Sequence, residues 1–170
     1  MSGILTIHSS GTGDIMSGHS WIEFSPDGGA ATTYGTWGNN PTGKGNGLFQ
    51  DLELGRASDA SRSVRINDVQ QAKLEQTIQD YKNKGINGWV LLNPCSGFAA
   101  EAWSNATGQS LSHRSGIISN PSKLKTSIDA ANAGDAKKAA IPDAKPNPAR
   151  PSSSRRPTGS SVQPCPHGNR

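Results

Sequence analysis

The 170-residue chain is poor in cysteine and in long apolar runs. Its two cysteines, Cys95 and Cys165, fall in segments of different composition, and we expect no disulfide between them. No segment reaches the roughly 18 consecutive apolar residues of a membrane-spanning helix. The first residues lack the basic region, apolar core and cleavage site of a Sec signal peptide. The sequence therefore predicts a protein that is made in the cytoplasm and has no transmembrane segment.

The net charge of +4 is unevenly distributed along the chain. Residues 1–133 carry 10 Lys/Arg and 11 Asp/Glu, whereas residues 134–170 carry 7 Lys/Arg, 2 Asp/Glu and 7 of the 11 prolines. The nearly neutral first part argues against a nucleic-acid-binding domain. The second part has almost no large apolar residues, so it buries too little surface to offset its ordering entropy. We predict a domain over 1–133 and a disordered, basic, Pro/Ser-rich tail over 134–170.

Local patterns place strands before helices in the predicted domain. Segments that predict strands or extended structure are residues 4–7, 19–24, 31–37, 48–54 and 63–66. Helical spacing predicts helices over residues 67–85, 94–107 and 120–134. In the first of these helices, Asn67 and Gln70 form a capping box, and Val69, Leu74 and Ile78 keep helical spacing. This order of elements is typical of an α+β protein.

Cys95 lies in the first turn of the second predicted helix. We expect Asn93 as the cap and Pro94 as the first helical residue, where a missing N–H is not needed. The positive end of a helix dipole lowers a thiol pKa and favours the nucleophilic thiolate. The small or polar neighbours Ser96 and Gly97 would let a reacting group approach backbone N–H donors. Cys95 is therefore a candidate nucleophile, and the alternative is a small buried apolar residue.

His19 begins the predicted strand 19–24 and is the candidate base. If Ile22 and Phe24 face the core, then His19 faces the opposite side together with Trp21. A general base beside a thiol is the usual means of activating it. His8, after the first strand, is an alternative base, and either histidine could instead have a purely structural role. We find no spacing typical of a metal site and expect no metal and no cofactor.

Three short motifs of the chain, which include His19 and Cys95, together resemble those of the circularly permuted NlpC/P60 (papain-like) thiol hydrolases. The motifs are Gly-His-x-Trp-Ile at 18–22, Thr-Tyr-Gly-Thr-Trp at 33–37 and Asn-Pro-Cys-Ser-x-Phe-Ala-x-x-x-Trp at 93–103. Permuted members, which include the lecithin-retinol-acyltransferase-like branch, place the His strand before the Cys helix. The resemblance spans residues 4 to about 130. It implies an α+β fold in which a small antiparallel sheet packs against helices.

The resemblance also implies roles for individual residues. Cys95 would be the nucleophile and His19 the base. In the family, a third polar residue on the strand after the His strand orients the imidazole. This chain departs there from the usual His, Asn, Gln or acid, and we predict Tyr34, whose hydroxyl can accept a hydrogen bond from the imidazole. Glu23, on the same strand face as His19, is the alternative.

The expected activity is hydrolysis of an amide bond in peptidoglycan peptides. The chain is also similar to effectors that bacteria deliver through type VI secretion systems. That similarity implies an exported antibacterial toxin acting in the target-cell periplasm, with an immunity protein and a component of the secretion apparatus as partners. One alternative is a thiol-dependent lipid acyl hydrolase or acyltransferase, which an apolar rim around Cys95 would favour. Another is a non-catalytic binding module, which a buried Cys95 far from His19 would favour.

Overall fold

A five-stranded antiparallel sheet organises the fold in the computed structural model, which describes residues 2–11 and 18–139. The strand order is β4-β3-β2-β1-β5. The strands are β1 (Gly3–Ser10), β2 (His19–Pro26), β3 (Thr32–Trp37), β4 (Gly47–Gln50) and β5 (Ala60–Ile66). The α+β class and the antiparallel sheet are thus confirmed.

The register of the sheet separates an inner, helix-covered face from an outer face. Ile7 of β1 is paired with Ile22 of β2, and both are fully buried on the inner face. The next pair, His8 and Trp21, lies on the outer face, because successive side chains of a strand alternate. His19 is two residues from Trp21 and shares the outer face, as the sequence predicted.

Helices and short elements follow the strands or connect them. They are α1 (Asn39–Thr42), α2 (Asp68–Lys84), a 3-10 turn (Gly85–Gly88), α3 (Cys95–Thr107), β6 (Arg114–Ser115), β7 (Ile118–Ser119) and α4 (Pro121–Ala139). The capping box of Asn67 and Gln70 is confirmed at the start of α2. In residues 2–11 and 18–139, none of the helices combines the length and the apolar character needed to cross a membrane.

The core lies between the inner face of the sheet and the three long helices. Phe98 and Trp103 of α3 are fully buried, as are Leu124 and Ile128 of α4. Val69 does not join them, although the sequence pattern placed it on the inner face of α2, and its exposed fraction is 67%. At 3.6 residues per turn Val69 lies about 140° around the helix from Leu74, so it faces solvent.

The last helix extends further than its sequence predicted. It continues past Gly134 to Ala139, and the carboxylate of Asp135 pairs with Arg62 of β5 at 2.7 Å. Lys and Ala after Gly134 favour helix, which outweighs the cost of one internal glycine. The chain divides into a unit up to Ala140 and a second unit over 141–170. The second unit, with nearly all of the predicted tail and Cys165, lies outside the described residues.

Candidate active site

Cys95 begins α3 and directs its side chain towards the sheet. Pro94 is the cap residue, not Asn93 as expected, and no side chain caps the helix. The backbone N–H groups of Ser20, Ser96 and Cys95 itself favour the charged form of the thiol. The residue is only 5% exposed, and this burial raises the pKa of the thiol to about 11 despite those donors. The helix start was expected to lower this pKa, but desolvation outweighs it.

His19 begins β2 and is buried on the outer face of the sheet. Its Nε2 lies 2.8 Å from Oε1 of Glu53. Because a carboxylate can only accept, this bond places the ring proton on Nε2 and leaves the lone pair on Nδ1. The imidazole is stacked against two tryptophan rings. Its centroid lies 3.8 Å from the ring centroid of Trp37 and 5.7 Å from that of Trp21. Burial lowers the pKa of His19, with Glu53 opposing the shift, so the ring is neutral near pH 7.

Glu53, which the sequence analysis missed, is the residue that holds the imidazole. Its side chain is fully buried. Besides His19, its carboxylate accepts hydrogen bonds from Nε1 of Trp37 at 2.6 Å and from Oγ1 of Thr33 at 3.2 Å. Two residues before Glu53, Asp51 adopts a positive φ of 63° and turns the chain back towards β3. A single acid in the run Leu-Glu-Leu was the available signal, but it is equally typical of a strand.

Gly35 of β3 provides the space in which His19 and Glu53 meet. A Cβ atom at this position would overlap Oε1 of Glu53 and would lie 3.0 Å from Nε2 of His19. Only glycine therefore allows the carboxylate and the imidazole to approach each other over the strand. The close contact between His19 and Glu53 thus explains why the Thr-Tyr-Gly-Thr-Trp motif has glycine at position 35.

Tyr34 does not occupy the position predicted for it. Thr33 and Trp37 of β3 contact Glu53 from the outer face, so the intervening Tyr34 points to the inner face. There its ring packs against the core, with Nζ of Lys82 5.9 Å from the ring centroid. The expected contact between Tyr34 and the imidazole is therefore corrected: Glu53, from the loop after β4, makes it.

The two reserve residues lie beside the site but do not contact the thiol. His8 is stacked on Trp21 at 4.9 Å, and its Nδ1 lies 3.0 Å from Oγ of Ser58. The Nε2 of His8 is 3.8 Å from the Glu23 carboxylate. Burial lowers the pKa of His8. The ring of Trp21 is stacked against both histidines. His8 pairs with Glu23, whereas His19 pairs with Glu53.

Cys95 lies near the His19–Glu53 pair, in a cluster at the starts of α3 and β2, with no hydrogen bond between its sulfur and the imidazole among the described residues. The sulfur of Cys95 contacts the backbone of Ser20, the residue that follows His19. The charge of Glu53 contributes to the raised pKa of the thiol, which places the carboxylate within electrostatic range of the sulfur. No group of three His, Cys, Asp or Glu side chains within residues 2–11 and 18–139 is arranged to hold a metal ion.

Exposed apolar side chains lie on both loops that adjoin this cluster. One loop precedes Cys95 and the other carries Glu53; the residues are Val90, Leu91, Leu92, Leu52 and Leu54. The first loop lies near His19, because the ring of Trp89 packs against Gly38, which follows Trp37. The surface of the loops beside the cluster is therefore partly apolar.

No protein-family model, characterised protein or solved structure matches the chain. The likeness to the permuted NlpC/P60 hydrolases consequently rests on the three motifs and on the order of His19 and Cys95 in the chain.

Proposed function

We propose that the chain is a cysteine hydrolase with a permuted papain-like, NlpC/P60 type of fold. Cys95 is the nucleophile, His19 the base and Glu53 the positioning residue. The observation that carries this proposal is the buried 2.8 Å bond between His19 and Glu53, together with a buried Cys95 whose sulfur lies near the backbone of Ser20, the residue after His19. A carboxylate–imidazole pair beside a thiol at a helix start has the components of a catalytic triad.

The pKa shifts of Cys95 and His19 favour a reaction that starts from a neutral thiol and a neutral imidazole. Burial keeps the thiol of Cys95 protonated and the imidazole of His19 unprotonated near pH 7. As the sulfur attacks the carbonyl carbon, its proton passes to Nδ1 of His19, and Glu53 stabilises the resulting imidazolium. The carbonyl oxygen becomes an oxyanion, for which the N–H groups at the start of α3 are donors.

The intermediate then collapses in two further steps. The C–N bond breaks, and the leaving amine takes the proton from His19, which leaves a thioester on Cys95. Water attacks the thioester while His19 accepts its proton, and the carboxylic acid is released as the thiol is restored. Each proton that leaves the sulfur or the water is thus returned to a product or to the thiol.

The substrate that we propose is an amide bond of peptidoglycan peptides. The resemblance to permuted NlpC/P60 hydrolases and to type VI effectors supports this choice. The chain would then be an antibacterial toxin that is exported and acts in the periplasm of a target cell. An immunity protein and a component of the secretion apparatus would be its partners.

A lipid acyl ester is the second candidate substrate. It is favoured by the turn directly before Cys95, where Leu91 and Leu92 are more than half exposed, and by the exposed Leu52 and Leu54 around Glu53. Apolar side chains at the mouth of a site provide contacts for an acyl chain. The chain would then be a thiol-dependent lipid acyl hydrolase or acyltransferase.

Parallel digestion of purified peptidoglycan and phospholipid vesicles, with mass analysis of the products, tests both substrates. We expect new free amino and carboxyl ends in the peptidoglycan and intact phospholipids. Released fatty acid would instead support the lipid enzyme. The Cys95→Ala variant is the control, and cleavage by neither wild type nor variant would favour the non-catalytic binding module, which the burial of Cys95 also fits.

A further inference from the structure

A cation lies over the two tryptophan rings that contact the imidazole of His19. Cζ of Arg56 is 5.7 Å from the ring centroid of Trp21 and 5.5 Å from that of Trp37. Both indoles are also stacked on the imidazole, with interplanar angles of 16° for Trp21 and 28° for Trp37. A guanidinium within about 6 Å of an indole centroid is attracted by the ring. The cation is therefore held beside the proposed base, although Arg56 is an exposed residue.

One turn of the chain carries both Glu53 and Arg56. The backbone N–H of Arg56 donates to the carbonyl oxygen of Glu53 at 2.9 Å, which closes a four-residue turn. Gly55, the third residue of this turn, has a positive φ of 72°, a conformation that favours glycine. The turn thus brings a carboxylate and a guanidinium to the same imidazole, because both charges act on His19.

The carboxylate oxygens of Glu53 have partners other than Arg56. Oε1 is bonded to Nε2 of His19 and Nε1 of Trp37, and Oε2 is bonded to Oγ1 of Thr33. In the part of the chain that the structure describes, no carboxylate lies at ion-pair distance from the guanidinium of Arg56. Its positive charge is therefore not neutralised there by a direct ion pair, and it acts on the imidazole next to it.

Two charged groups face the imidazole, and they act in opposite directions. Burial is the largest cause of the lowered pKa of His19; the hydrogen bond and the charge of Glu53 oppose it, and the charge of Arg56 adds to it. The thiol of Cys95, at the start of α3, has its pKa raised to about 11 and is uncharged near pH 7. His8 of β1 is stacked on one of the same indoles, and burial lowers its pKa as well. Arg56 is therefore the cation that opposes a positive charge on His19.

We propose that Arg56 is a positioning residue whose guanidinium, held on the two indoles, keeps the imidazole of His19 unprotonated until the proton of Cys95 arrives. Glu53 fixes the orientation of the ring, but its charge also favours a proton from solvent on Nδ1. Arg56 offsets part of that charge, and an imidazole that stays neutral keeps the lone pair that the thiol proton needs. The catalytic consequence rests on the proposed hydrolase function, whereas the effect on the resting imidazole does not.

Titration of the His19 ring in the resting protein tests this inference without turnover. The ring protons of the histidines in the full chain are followed by NMR as the pH is varied, and His19→Gln identifies the signal. Arg56→Gln removes the cation, so the titration midpoint of His19 should move to higher pH. Arg56→Lys keeps the charge and should retain most of the wild-type midpoint. Lys73→Gln, which removes the same charge from an exposed position of α2, is the matched control and should leave the midpoint unchanged.

Salt and a second substitution separate the charge of Arg56 from the space that its side chain fills. The charge of an exposed residue is screened by salt, so the difference between wild type and Arg56→Gln should shrink as the ionic strength rises. Arg56→Met keeps an unbranched side chain over the indoles without the charge. It should show the same upward shift as Arg56→Gln, and it takes the place of that variant if the glutamine prevents folding. A midpoint in these uncharged variants that equals the wild-type midpoint, or lies below it, would overturn the inference.

The pH profile of kcat/KM on peptidoglycan measures the catalytic consequence. The acid limb of Arg56→Gln should move to higher pH by the same interval as the NMR midpoint, and Arg56→Lys should restore the wild-type limb, because kcat/KM reports the base of the free enzyme. A shifted His19 titration in a chain that hydrolyses neither peptidoglycan nor lipid would contradict the hydrolase and leave the effect of Arg56 on the imidazole standing. Hydrolysis with an unchanged acid limb in Arg56→Gln would contradict the role of Arg56 alone.

Discussion

Glu53 and His19 are 34 residues apart in the chain, and their side chains meet at 2.8 Å in the buried outer layer of the sheet. The imidazole is thereby fixed in one orientation and one tautomer, with Nδ1 available to accept a proton. The contact also places a carboxylate where a positive charge on His19 would form. The proposed chemistry depends on this contact more than on any other in the molecule.

Removal of the thiol should abolish hydrolysis. We expect the activity of Cys95→Ala to fall to the background rate, with a loss of about 1 kcal/mol in the free energy of unfolding, because a buried sulfur is removed. Product release from peptidoglycan and thermal unfolding measure the two effects. Lys123→Ala, at an exposed position of α4, is the control for catalysis. Hydrolysis that survives in Cys95→Ala would place the nucleophile elsewhere.

The third residue of the site is identified by comparing two variants. Glu53→Gln keeps the size of the side chain but removes the charge that stabilises the imidazolium, so we expect kcat to fall about a hundredfold or more. Tyr34→Phe should change kcat less than about twofold, because its ring lies on the other face of the sheet. Circular dichroism confirms that both variants fold. A larger loss in Tyr34→Phe than in Glu53→Gln would reverse the assignment.

A methyl group at position 35 should separate the imidazole from its carboxylate. In Gly35→Ala the new Cβ would displace Glu53 and crowd His19, so we expect a loss of activity as large as that of Glu53→Gln. The control is Gly134→Ala, where a Cβ would meet no atom within 4 Å and should raise helix stability by up to about 1 kcal/mol. Full activity in Gly35→Ala would show that the His19–Glu53 contact is dispensable.

The pH dependence of catalysis follows from the two pKa shifts. The lowered pKa of His19 should move the acid limb of kcat/KM below pH 6.5, because the ring must be neutral to accept a proton. The thiol pKa of about 11 predicts no further ionisation of the pair between pH 7 and 9. In Glu53→Gln the acid limb should shift to still lower pH, since the carboxylate raises the pKa of His19. An acid limb above pH 6.5 would contradict a neutral starting pair.

Truncation after Ala139 should preserve the folded domain and its activity on a small soluble substrate. We expect a cut after Gly134 to cost somewhat more stability, because it removes Asp135, the partner of Arg62 at 2.7 Å. Asp135 is more than half exposed, so the pair contributes about 1 kcal/mol or less. Denaturant unfolding of the two truncated chains compares these costs. Loss of activity in the longer one would mean that residues after 139 complete the site.

Local signals were sufficient for most of the fold but not for all of the site. The capping box at Asn67 and the end of α3 at Thr107, just before Gly108, depend on neighbouring residues alone, and both lie where the sequence predicted them. Cys95 and His19 could be selected because each lies at the start of a patterned element. Glu53 could not, because a turn at Asp51 and bonds to Thr33 bring it to β3, and none of these leaves a periodic pattern.

The pKa of the Cys95 thiol is a second property that local sequence signals could not predict. The helix start at Cys95 was visible in the sequence, and it predicts a lowered pKa. How deeply the sulfur is buried depends on how α3 packs against Ser20 and its neighbours, which is a property of the tertiary structure. Burial determines the sign of the shift here.

Tryptophan rings on the outer face of the sheet make the protonation of His19 detectable by fluorescence. Trp37 and Trp21 are stacked against that imidazole, at 3.8 and 5.7 Å. A protonated imidazole accepts an electron from an excited indole and quenches its emission, whereas the neutral ring does so only weakly. The emission of Trp37 should therefore dim as His19 becomes charged, and the site would report its own protonation state without a label.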